Sequence, residues 1–146
     1  MTMQIDLDNM NPGTFFPFDE NPVGEEEKKE GVLLRILTAG KLEEITNRCR
    51  TKKIEVKGSP PARFEVFDFK KGGEEKEFEL TWDYCIMDWV GVIDKDDKEI
   101  PCTPENKILL MKDSIRFSTF INEGIKKINA QFKVYEEDKE INLEDT

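Results

Sequence analysis

The chain of 146 residues has a formal net charge of −10, 37% apolar and 37% charged residues, and no histidine. That length suits one domain with a real core, and ten Phe, two Trp and two Tyr are more aromatics than a disordered chain carries. The missing histidine removes the commonest general base and zinc ligand; the absence of a signal-peptide pattern and of any 18-residue apolar run predicts a cytoplasmic protein without a membrane partner, and Cys49, Cys85 and Cys102 read as free thiols.

Residues 1–30 hold eight acids and two bases, and three prolines (Pro12, Pro17, Pro22) disfavour helices and ladders there. They read as an acidic, irregular segment whose apolar exception is Phe15-Phe16-Pro17-Phe18, with Glu25 to Glu30 as a charged linker. Gly31–Leu37 is a strand candidate. Thr38 can cap a short helix in which Leu42, Ile45 and Cys49 share a face. Lys52–Val56 and Arg63–Phe69 alternate as strands around the turn Gly58-Ser59-Pro60-Pro61, with Phe64 and Val66 on one face and Phe67 and Phe69 on the other. Phe78, Trp82, Cys85, Ile86, Trp89 and Val90 follow a helical period, which predicts a helix from about Glu75 to Asp88 ending near Gly91.

Asp94–Lys98 reads as a polar turn. Thr103-Pro104-Glu105 is a strong helix start, with an N-cap, Pro at the first helical position and an acid in the first turn. Asp113-Ser114 can cap a final helix whose stripe is Phe117, Phe120, Ile121, Ile125, Ile128 and Phe132, with Gly124 permitting close packing or a bend. Residues 136–146 carry six acids and one base and read as an acidic disordered tail. The expected fold is α+β: short N-terminal strands with a small helix, then a three-helix C-terminal part forming most of the core. Residues 31–135 read as a single domain.

Candidate chemistry is sparse. Asp94 and Asp96 occupy positions 1 and 3 of a calcium loop, but Lys98 falls at position 5 and Glu99 where the sharp turn needs Gly. Asp83 and Asp88 could serve as an acid pair, yet nothing in the sequence sets their separation. Gly72-Gly73 lacks the lysine and hydroxyl residue of a phosphate loop. Cys102 lies near a helix N-terminus, which lowers a thiol pKa, but no histidine is present to activate it. Trp82 and Trp89 fall on one helical face and read as core. The basic run Arg48, Arg50, Lys52, Lys53 and Lys57 lacks interleaved aromatics, so it reads as a solvated face or a patch for an acidic partner rather than for nucleic acid. No catalytic, metal or cofactor site is expected, and an enzyme is not.

Trp82-Asp83-Tyr84, then Asp88-Trp89-Val90-Gly91-Val92-Ile93-Asp94, then Glu99-Ile100-Pro101-Cys102-Thr103-Pro104-Glu105-Asn106-Lys107 resemble a pattern of small phage and prophage tail assembly chaperones. Leu34-Arg35-Ile36-Leu37 fits the same pattern, and Asp97-Lys98 stands where glycine is common in its acidic turn. The resemblance covers about residues 31–132 and rests on turns, caps and core positions. It implies a protein without enzymatic activity or cofactor that binds the tape-measure protein or tail-tube subunits during virion assembly. A minor structural component of the virion, such as a connector, is the alternative. The expected contact surface is Phe15, Phe16 and Phe18 together with the final helix, chiefly Phe117, Phe120 and Ile121.

Overall fold

The computed structural model describes residues 2–19 and 30–144, with side chains in the last helix as far as residue 131. The Asn21-Pro22 pair, residues 25–29 of the expected linker and the Phe132 side chain lie outside that description. The fold is α+β, and the chain divides into two compact units, so the span 31–135 read as one domain is shared between them.

One unit comprises Met1–Ile36 and Asp83–Thr146. Its sheet is antiparallel, in the order β1 (Thr14–Pro17), β2 (Gly31–Leu34), β5 (Ile86–Val90). Two helices follow, α3 (Pro104–Asp113) and α4 (Ile115–Glu144). Val32, Leu34 and Ile86 are fully buried, and Trp89, Met111, Phe117, Ile121 and Ile128 complete this core. Each such aliphatic side chain contributes about 1.5–3 kcal/mol by leaving water. Strands and helices share this core, in keeping with the expected α+β class. The other unit, Leu37–Trp82, contains α1 (Ala39–Cys49), β3 (Arg50–Lys57), β4 (Ala62–Phe69) and most of α2 (Gly73–Cys85).

Local signals are read directly at several places. The Thr38 hydroxyl accepts from the Lys41 amide at 3.2 Å and starts α1, which buries Ile45 and Cys49 but leaves Leu42 exposed. Thr103 caps α3 with Pro104 in its first turn, and the Ser114 hydroxyl accepts from the Phe117 amide at 3.2 Å to start α4. The β3–β4 register pairs Arg50 with Phe69 through Lys57 with Ala62, which places Phe64 and Val66 on one face and Phe67 and Phe69 on the other.

Three elements depart from the sequence reading. The irregular segment 1–30 contains β1, where Pro17 is tolerated as the last residue of an edge strand. The expected helix to Asp88 stops at Cys85, and Ile86–Val90 is a strand bound to β2. The terminal carbonyls of α2 explain the break: Arg35 donates its backbone N–H to Cys85 O at 2.9 Å and its Nε to Tyr84 O at 2.8 Å. These bonds satisfy helix-end acceptors from the residue that follows β2, about fifty residues away, and no local pattern near Cys85 announces them. Finally, α4 runs on to Glu144 through the segment read as a disordered tail.

Gly124 lies where α4 meets β2. A Cβ there would stand 2.6 Å from Leu34 Cδ1 and 3.5 Å from Phe16 Cδ2, and fully buried Leu34 has no open space to retreat into. Gly124→Val should therefore lower the stability of the folded chain by about 1–3 kcal/mol through overpacking. Urea denaturation checks this, and an unchanged midpoint would mean that helix and strand do not approach so closely.

Candidate protein-docking groove

The residues that follow β5 build one wall of an open groove. Gly91, at φ 85°, turns the chain out of the strand, in a conformation that suits glycine. The Ile100 amide donates to Val92 O at 2.8 Å, and Ile93 pairs with Glu99 across a tight turn. Asp94 Oδ1 closes that turn by accepting the Asp96 amide at 2.8 Å and the Lys98 amide at 3.1 Å. The carboxylate tested as a calcium ligand thus serves the backbone of its own turn. Trp89 Nε1 donates to Ile100 O at 2.7 Å, and the Asn106 side-chain amide donates to Pro101 O at 2.9 Å.

Helix α4 supplies the opposite wall. Phe117 meets Trp89 edge-on, with ring centroids 5.5 Å apart, and Phe120 meets Phe18 at 5.0 Å. Between the walls lies about 620 Å³ of open space, lined by Phe18, Ile93, Ile100, Leu110, Phe117 and Phe120, with Glu30, Arg116 and Glu123 also bordering it. Such a floor of apolar side chains with charged groups at its edge suits a protein segment carrying an apolar ridge.

The expected contact residues separate in this structure. Phe18 and Phe120 come together in the groove, 40% exposed and half-buried respectively. Phe15 is 38% exposed in β1, outside the groove lining, and Phe16 packs towards Gly124. Phe117 and Ile121 are buried, 8% and 2% exposed, and of the two Phe117 also lines the groove. Sequence periodicity identifies the apolar stripe of α4 but not which part of it the sheet covers. Ile93, Ile100 and Leu110 are groove residues that the sequence reading does not single out, since each sits in a turn or cap segment valued for its backbone.

The candidate chemistry falls apart in space and in task. Asp83 accepts from the Nζ of buried Lys107, at 3.1 Å to Oδ1 and 3.0 Å to its carbonyl, whereas Asp88 accepts its neighbour Trp89's amide. Burial raises the Cys102 thiol, and the opposing Lys107 cation does not offset it, so proximity to a helix N-terminus does not decide its ionisation. Trp82 stacks on Phe78 within α2 and Trp89 belongs to β5, so the two indoles do not share a helix face. Among the described residues no helix is long and apolar enough to cross a membrane.

One antiparallel three-stranded sheet and the helices of its unit thus carry an open groove lined by aromatic side chains. The chain belongs to the YdaY prophage protein family, whose model matches residues 39–142. That span includes the groove's turn, α3 and α4 as far as residue 142, while Phe18 lies outside it. No curated protein and no solved structure matches the chain.

At the end of α2, burial pushes the Cys85 thiol up to about 11, against a smaller lowering by Arg35. A folded-state pKa above the unfolded value of ~8.5 gives stability that is complete below that pH and is lost as pH rises through the folded value. The urea midpoint should fall more steeply from about pH 8.5 upward in the wild type than in Cys85→Ala; parallel profiles would contradict the assignment.

Proposed function

We propose that this prophage protein is a tail-assembly-chaperone-like factor that holds a helical tail protein, the tape measure or tube subunits awaiting assembly, without covalent chemistry. The Phe18–Phe120 groove carries the proposal. Its apolar floor accepts the ridge of an amphipathic helix, and Arg116 and Glu123 at its edge set register more than affinity. Membership of a prophage family supports a phage-related role. In this reading the protein works in the host cytoplasm, needs no cofactor and leaves before the virion is complete.

The test is co-purification from cells expressing the neighbouring tail genes. Tagged wild-type protein should recover a long helical tape-measure protein or tube subunits, and Phe120→Asp should reduce that recovery at least about tenfold by placing a charge in the apolar floor. Stoichiometric retention of the protein in purified virions would favour a minor structural component instead. Recovery of neither client would end the chaperone reading.

A further inference from the structure

All but three residues of β3 and β4 are exposed on one face or the other of their two-stranded hairpin. Phe64, Phe67 and Phe69 are 50%, 47% and 45% exposed, although an isolated hairpin is marginal in water and gains from a partner. Directly opposed residues of an antiparallel pair share a face. One face therefore carries the pairs Arg50–Phe69, Lys52–Phe67, Ile54–Glu65 and Val56–Arg63. Each pair joins a charged side chain to an apolar one, so the face alternates between the two and offers no continuous dry patch.

The local charge is opposite to that of the whole chain. From Arg48 to Lys71 there are eight bases and three acids, a net of +5 in a chain of −10. On the Phe67 and Phe69 face the cations Arg50, Lys52 and Arg63 outnumber the carboxylates Glu65 and Glu77, and at physiological salt a charge is felt over ~8 Å. Arg63, Lys70 and Lys71 are exposed and have no carboxylate at ion-pair distance among the described residues. Lys52 and Lys53 pair with Glu65 and Asp68 at 2.8 and 3.0 Å, but both pairs are exposed and such pairs exchange at little cost.

We infer that the β3–β4 hairpin binds single-stranded nucleic acid, with bases stacking on Phe67 and Phe69 and phosphates meeting Lys52, Arg63 and the neighbouring bases of the ribbon. Phe67 and Phe69 are two residues apart on one face, about 6.8 Å along the strand. That pitch is twice the ~3.4 Å step between stacked bases, so neighbouring rings receive bases without crowding. The Arg50 guanidinium already lies 4.5 Å over the Phe69 ring, fixed by two bonds to Glu77 at 2.9 and 2.8 Å. It extends the stacking surface beside the ring, its own charge paired with Glu77. An acidic protein would use the cations but leave the rings uncovered, and a second apolar protein face would be interrupted by the charges. Along β3 alone the bases lack aromatic neighbours; the register with β4 supplies them. Binding here does not rest on the tail-protein reading.

The full chain should be titrated against a fluorescein-labelled oligothymidylate of about 20 nucleotides, followed by anisotropy at about 50 and 200 mM salt. Saturable binding that weakens about 10- to 100-fold between the two salts is expected. Phe67→Ala with Phe69→Ala should weaken it at least about fivefold, while Phe67→Trp with Phe69→Trp should hold it within about twofold and show that the hairpin tolerates substitution. Absence of saturable binding at the lower salt would overturn the inference, as would unchanged binding in the alanine pair. Equal competition by polyglutamate would also overturn it and assign the face to an acidic protein.

Discussion

Arg35 closes the carbonyl end of α2. Its main-chain N–H reaches Cys85 O, its Nε reaches Tyr84 O, and its guanidinium lies 3.7 Å over the Tyr84 ring. The last carbonyls of a helix need donors, and here one residue supplies two bonds and a cation–π contact at a single turn. Asn11 reinforces the same corner, with its side-chain amide 3.1 Å from both Ile36 O and the Tyr84 hydroxyl. Because α2 ends there, Ile86–Val90 is free to pair with β2. That pairing brings Trp89 against Phe117 and sends the chain into the turn that walls the groove.

The motif residues of this region act as scaffold. Trp89, Gly91, Asp94, Pro101, Thr103 and Asn106 each hold a turn, cap or loop through a specific hydrogen bond or backbone angle. Lys107 is buried and tied to Asp83, so a charge that looks like surface decoration in the sequence joins the start of α3 to the end of α2. The groove-lining residues proper are the side chains these bonds present.

Much of the fold is legible in the sequence because its signals are local. Thr38, Thr103 and Ser114 announce helix starts through hydroxyls placed three residues before the amide they accept, and the turn at Gly58–Pro61 announces a hairpin. The segment Phe78–Val90 is misread as one helix because its apolar spacing fits a helical period while the decisive partner, Arg35, is remote. The same limit applies to surfaces. Periodicity marks Phe117, Phe120 and Ile121 alike, but only packing against Leu34 and Trp89's sheet separates buried from open. Cross-strand register likewise creates the cation and aromatic face of β3–β4 from two stretches that look unrelated in sequence.

The protein thus presents two unlike surfaces: an apolar aromatic groove in the unit built on β1, β2 and β5, and a basic aromatic ribbon in the unit Leu37–Trp82. The groove depends on the strand that Arg35 permits, and amide hydrogen exchange in Arg35→Ala tests that dependence most directly. Loss of the Nε bond and of the Tyr84 contact should speed exchange across Ile86–Val90 at least about tenfold, because β5 would open locally without its anchored start. Unchanged protection of Ile86–Val90 in a folded Arg35→Ala variant would contradict the account.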